Sequence, residues 1–234
     1  MPSPIGDAIL FDDFVGYTVL AAACSESPWE VTAMTSNTVL TVPCEPGGIL
    51  RLLTDNTDND VAMVAAGTFR TRVQDGAVDA LFRIKVNTAT NLGISLGLTD
   101  ANTESNLMPW DDSCGTLTTT ASTGIGFVFD TGGNTKWDTV YVDDNSDGSQ
   151  VSSCEVVTAA TYQTFRIRLE DNGSGNQVRA EFSIDCNKYY EVRTATIDRD
   201  ALLTPFVAVQ NQGGTPHNLD IDYIYVSQSR ASDS

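Results

Sequence analysis

Few residues in this 234-residue chain are placed to do chemistry. Hydrolysis of a glycosidic bond needs two carboxylates facing each other across a cleft. On a strand, these must stand an even number of residues apart to share a face. The nearest such pair is Glu181 and Asp185, in a segment whose other polar members are Arg179 and Ser183. That mixture reads as a solvated outer face, so no catalytic residue is expected. The sole histidine, His217, sits in QGGTPHN with no nucleophile elbow nearby. A Ser-His-Asp triad therefore has no support, and the ring is expected in an exposed loop. No glycine-rich segment opens a helix, which leaves nucleotide binding without its phosphate cradle.

Calcium is the one cofactor with a partial motif. DDNSDG supplies Asp143, Asn145, Asp147 and Gly148 in the D-x-[DN]-x-[DN]-G order that wraps a hard cation in oxygens. Cys154 stands where the closing bidentate glutamate belongs, and flanking helices are missing. TDNTDND, residues 54–60, is a weaker acid-rich turn. Both read as solvated loops, and neither metal nor cofactor is expected. The five cysteines, Cys24, Cys44, Cys114, Cys154 and Cys186, are odd in number and form no CxxC pair. That argues against structural zinc and a fully paired framework. Cys24 with Cys44 is the one pairing worth a test. Sugar binding without cleavage needs an aromatic platform, for which Trp29, Trp110 and Trp137 are candidates. Trp137 stands at period two with Thr139 and Tyr141, which points to a surface face.

These groups must be positioned by strands. No stretch sustains helical spacing for three turns, whereas period-two alternation recurs. In TFRIRLE, Phe165, Ile167 and Leu169 alternate with Arg166, Arg168 and Glu170; VRAEFSID repeats the pattern from Val178 to Ile184. DNGSGNQ between them is turn chemistry, so a hairpin is predicted. Pairing Glu170 with Arg179 and Arg168 with Glu181 sets opposite charges across from each other, while a two-residue slip opposes two arginines. Further strands are predicted at WEVTAM, TVLTV, GILRLL, VAMVAA, VDALFRIKV, LGISLGL, GIGFVFD, KWDTVYV and FVAVQN, and the chain closes on NLDIDYIYVSQSR. In that last strand Leu219, Ile221, Tyr223 and Tyr225 alternate against Asp220, Asp222, Ile224 and Val226, leaving both faces partly apolar. More than ten short strands with Gly, Asn and Asp breaks predict an all-β antiparallel sandwich. Residues 1–20 are expected as an arm and residues 21–234 as one domain. In LGISLGL, Gly93, Ser95 and Gly97 share a face that admits close approach, by a neighbour or by packing within the domain.

The segment from Thr99 to Gly124 has no sustained period and is about twice the length at which unstructured loops become uncommon. Its bulky groups besides leucines are Met108, Pro109 and Trp110. They either fold back on the core or form an exposed binding contact.

The charge balance, 31 acidic against 13 basic residues, gives a formal net charge of -18. Repulsion from phosphate argues against nucleic-acid binding. No run approaches the roughly 18 apolar residues of a membrane helix, and the start, MPSPIGDAILFDDF, lacks the pattern of a signal peptide. Neither a membrane nor Sec export is expected.

LGISLGLTDA, GIGFVFDTGGNTKWDTVYVDD, ATYQTFRIRLEDNGSGNQVRAEFSID, ALLTPFVAVQN and LDIDYIYVSQSR, in this order, resemble a group of tailed-phage virion proteins. Those in turn resemble concanavalin-like lectins and laminarinase-like glucanases, which implies a jelly-roll sandwich over roughly Val78 to Arg230. Such glucanases carry a Glu-x-Asp-x-x-Glu cluster, and none of the eight glutamates here begins one. Where such proteins often have Asp-Gly after the second hairpin strand, this chain has Asp185-Cys186, which implies a different turn. The resemblance implies a non-enzymatic capsid decoration (cement) protein on the virion surface, assembled in the host cytoplasm. It would bind the major capsid protein, as a trimer or dimer. Phe11 and Phe14 in FDDF, with Trp29 in SPWEVT, are then natural attachment residues. The alternative is a carbohydrate-binding, lectin-like module of a tail or fibre, with glycans as partners.

Overall fold

The computed structural model describes residues 7–15, 29–33, 38–41, 47–101, 108–113, 116–132, 135–144, 146–147, 150, 154–173, 175–186 and 188–229. Within these, strand follows strand: β1 (Ala8–Asp12), β2 (Trp29–Ala33), β3 (Thr38–Thr41), β4 (Leu50–Leu53), β5 (Val61–Ala66), β6 (Val78–Val86), β7 (Leu92–Thr99), β8 (Trp110–Ser113), β9 (Thr116–Thr119), β10 (Gly124–Asp130), β11 (Asp138–Asp143), β12 (Ser146–Asp147), β13 (Gln163–Asp171), β14 (Gln177–Ile184), β15 (Tyr189–Thr196), β16 (Thr204–Asn211) and β17 (Asn218–Gln228). The first sheet runs β15-β14-β13-β6-β17-β4-β3, with β1 also on β17; the second runs β12-β11-β10-β7-β16-β5-β2. The ladders are antiparallel, and the two sheets stack into a sandwich.

Period-two patterning builds the core. Val78, Ala80, Phe82, Ile84 and Val86 face inward from β6, and Phe165, Ile167 and Leu169 from β13. Phe127 of the second sheet meets Phe165 at 5.1 Å and Phe182 at 5.5 Å, both edge-on. Trp137 packs 4.6 Å from Phe165 and donates its indole N–H to Gln163. It is a core residue, not the surface platform its spacing suggested, because the face it shares with buried Thr139 and with Tyr141 is the one turned to the main core.

The β13–β14 hairpin has the predicted register, Arg168 opposite Glu181 and Glu170 opposite Arg179. Beyond it, β15 continues the meander, a strand that sequence reading missed. The intervening Asp185 and Cys186 adopt φ of 48° and 54°, the left-handed conformation that Asp-Gly would also supply. The different turn expected there is therefore not seen in these angles. Asp185 is held by Thr164, whose N–H donates to its carboxylate at 2.8 Å.

The closing strand resolves its own ambiguity. Its register against β6 shifts between Ile221 and Tyr223, so Asp222 is an extra residue and the alternation changes phase. Leu219, Ile221, Ile224 and Val226 all become buried, while Tyr223 and Tyr225 turn outward. β17 is long enough to serve two neighbours on one side. Residues 218–221 pair with β4 and residues 224–228 with β1. Part of the segment expected as an arm is thus a strand of the first sheet.

Candidate functional site

The 99–124 excursion, expected to lack regular structure, contains the β8–β9 hairpin, in register from Trp110↔Thr119 to Ser113↔Thr116. It lies on the outer face of the second sheet and builds a second core with Val61, Met63, Ala65, Val128, Val140, Phe206 and Ala208. Trp110 is fully buried; it stands edge-on to Phe206 at 4.8 Å and donates its indole N–H to the Phe127 carbonyl at 3.1 Å. The glycines of β10 make room for it. A Cβ on Gly124 or Gly126 would lie 2.5 or 2.6 Å from the indole. The close approach foreseen for Gly93, Ser95 and Gly97 is thus packing within the domain: Gly93 lies under Met108, and Ser95 and Gly97 are buried on the same strand.

The expected binding residues separate accordingly. Met108, Pro109 and Trp110 are buried, the first of the two alternatives, and cannot serve as an exposed contact. Phe14 and Trp29 are also buried, with rings 5.7 Å apart. Asp12 clamps them, accepting the Phe14 N–H and the Trp29 indole N–H, each at 2.7 Å. Only Phe11 presents its side chain, 58 % exposed. His217 is buried rather than exposed, 2 % accessible, because the backbone on both sides of it is tied down. Its N–H donates to the Thr54 hydroxyl and its carbonyl accepts from the Thr54 N–H. Of the calcium motif, Asn145 and Gly148 lie outside the described residues, as do Cys24, Cys44 and Cys114. Cys154 and Cys186 are not joined in a disulfide.

Carboxylates gather at two places, neither apparent from spacing. At one end of the hairpin, Asp112, Asp130 and Asp138 are buried and Asp111 is half-buried. The Gln150 amide nitrogen bridges Asp112 and Asp138, 2.8 Å from each, and the Gln212 amide donates to Asp130 at 2.5 Å. Burial, reinforced by the charge of Asp130, pushes the Asp111 pKa up to about 6. Burial and then the charges of Asp138 and Asp130 likewise raise that of Asp112, against the Gln150 hydrogen bond. Asp112, Asp130 and Asp138 thus lie buried beside the hairpin, tied to glutamine amides.

The second gathering is open. Loops following β5, β7, β9, β11, β13 and β15 converge at one end of the sandwich around a cleft of about 680 Å³. Asp100, Asp143, Asp144, Asp198 and Asp200 line it, with Asn176, Ser122, Thr123 and the cation Arg70. Local turns set the acids. The Asp198 carboxylate accepts the Asp200 N–H at 2.9 Å, and Asp100 accepts the Ser122 N–H at 3.1 Å. Burial, then the charges of Asp198 and Asp144, raise the Asp143 pKa, and its Oδ1 is buried without a hydrogen-bond partner. Exposed Leu202 supplies an apolar lip. Among the described residues, no three His, Cys, Asp or Glu side chains are grouped to hold a metal ion. Such a lining accepts hydrogen bonds from hydroxyls and favours polar, neutral or cationic ligands.

The chain overlies an endo-1,3-β-glucanase from Streptomyces sioyaensis with a TM-score of 0.63 and 13 % identity, covering 98 % of this chain and 99 % of that one. It overlies basic winged bean lectin, solved with Tn-antigen, at 0.58 and 11 %, covering 97 % and 100 %. The metal-free carbohydrate recognition domain of Emp46p gives 0.57 and 10 %, covering 88 % and 89 %. The fold is the concanavalin-like jelly roll. At these identities the likeness concerns the scaffold alone. No family model matches the sequence, and no curated protein matches it. Within this jelly roll, the hairpin cover over the second sheet and the acidic end cleft are the features that bear on function.

Proposed function

We propose that this jelly roll is a non-enzymatic binding module whose end cleft takes a saccharide. The carrying observation is the Trp110 hairpin. It covers the outer face of the second sheet and its buried acids, leaving the open cleft around Asp143 and Asp198 for a ligand. Carboxylate, amide and hydroxyl groups suit a polyol, whose hydroxyls donate to the acids, and Leu202 offers apolar contact to a ring face. The lectin and the carbohydrate recognition domain among the structural neighbours are consistent with this class. A glycan array followed by calorimetry tests it. Saturable binding that Asp198→Asn or Asp143→Asn weakens tenfold or more supports the reading; no binding, or binding indifferent to both substitutions, rejects it. Turnover of the bound saccharide would overturn the non-enzymatic part.

Attachment to a phage capsid lattice, and with it a place on the virion, is a further proposal supported by the resemblance of the scaffold strands. Saturable binding to expanded empty capsids tests it.

A further inference from the structure

Charge is not spread evenly over this molecule. On the outward positions of the first sheet, cations and anions interlock across strands. Arg51 and Lys85 grip Asp220 from β4 and β6, Arg83 meets Asp222 at the bulge, and Arg166 meets Asp79. Arg179 bridges Glu170 and Glu181, and Arg168 also reaches Glu170. Six of the 13 basic residues and five of the 31 acidic ones are used here, leaving 7 basic and 26 acidic residues for the remainder of the chain. These ion-paired residues nearly cancel in charge, so the excess of negative charge belongs to the remainder of the chain.

Its margins are apolar. One row of cross-strand neighbours reads Phe11, Tyr225, Leu81, Arg166, Ser183 and Tyr190 across six strands. Beside it, Ile9 begins and Val192 ends a parallel row. Ile9 is 59 % exposed, Phe11 58 % and Tyr190 53 %. Strands spaced by about 4.8 Å and rising about 3.4 Å per residue make this six-strand face about 30 Å square, or about 900 Å². A stable pair needs about 800 Å² per partner.

We infer that the outer face of the first sheet is a docking surface for a second copy of this chain, joined face to face about a two-fold axis. A partner with this net charge is repelled by the molecule as a whole, whereas here its own balanced, apolar-edged face is presented to an identical one. The inference does not depend on the cleft, which lies at the end of the sandwich.

Sedimentation equilibrium of the full chain, from micromolar to submillimolar and from about 20 mM to about 1 M NaCl, tests it. The expected result is a monomer–dimer equilibrium that tightens as salt screens the like net charges. Phe11→Asp on one margin and Tyr190→Asp on the other each loosen it tenfold or more, with unchanged thermal melts showing that the variants fold. A monomer at every concentration and salt overturns the inference, as does a dimer untouched by both substitutions. So does a chain that stays monomeric while this face becomes protected from hydrogen exchange only on adding capsid shells.

Discussion

The indole of Trp110 lies against the backbone of Gly126, so closely that a Cβ there would sit 2.6 Å from Cζ2. The hairpin cover therefore depends on both residues. Trp110→Ala is expected to cost about 3–5 kcal/mol, in line with removal of a buried aromatic, and Gly126→Ala to cost enough to lower the melting temperature by several degrees. Chemical denaturation measures both. A Gly126→Ala protein as stable as the parent would contradict the packing, since the Leu96 carbonyl also crowds that position.

Asp111 titrates near pH 6 in the folded chain, against 3.8 for an ordinary aspartate. Raised folded pKa means that its contribution is fully present below about pH 4 and is lost as pH rises through 6, where a second charge must form beside Asp130. The loss is expected to be about 2–3 kcal/mol. Asp111→Asn should remove that slope and raise stability at pH 7.5. Melting curves at pH 4.5 and 7.5 check this; identical slopes in parent and variant would refute it.

His217 behaves in the opposite sense. Burial holds its pKa below 6.5, and neither ring nitrogen has a hydrogen-bond partner among the described residues. Its contribution is therefore present above 6.5 and lost as pH falls through the lower folded value. As the chain's one histidine, it gives a single imidazole signal in a proton NMR titration. A midpoint at or above 6.5 would place the ring in water, contrary to the structure.

The Glu170–Arg179 pairing sets the register of the β13–β14 hairpin, with the Arg179 guanidinium 3.1 Å from the Glu170 carboxylate. Glu170→Arg sets like charges opposite each other and is expected to cost about 0.5–1 kcal/mol at this exposed site. Adding Arg179→Glu should restore most of it. Urea midpoints for the two single variants and the double variant decide whether the effects couple.

Much of the first sheet was legible locally. Phe165, Ile167 and Leu169 alternate with charged residues, and one face buried against one solvated is a pattern that a single strand displays by itself. β15 was missed because its half-buried positions hold Glu191 and Arg193 while its exposed ones hold Tyr190 and Val192, so the apolar alternation is inverted. In the Thr99–Gly124 segment, folding back on the core was one of the two alternatives read, but the hairpin was not foreseen, for a different reason. Trp110, Leu117 and Ala121 bury against the back of the second sheet, and no period within the segment announces that distant surface.

Composition and alternation alone determined the all-β sandwich, the hairpin register and the acidic surface, because these follow from neighbours along the chain or directly across one turn. Tertiary structure alone decided that Trp110 and Trp137 are core, that Asp222 is a bulge which sends Ile224 and Val226 inward, and that the chain at and just after the ends of β7, β11 and β15 brings five aspartates to one cleft. Those outcomes depend on contacts between segments far apart in the chain, such as Arg83 and Asp222, 139 residues apart, whose energies no local window contains.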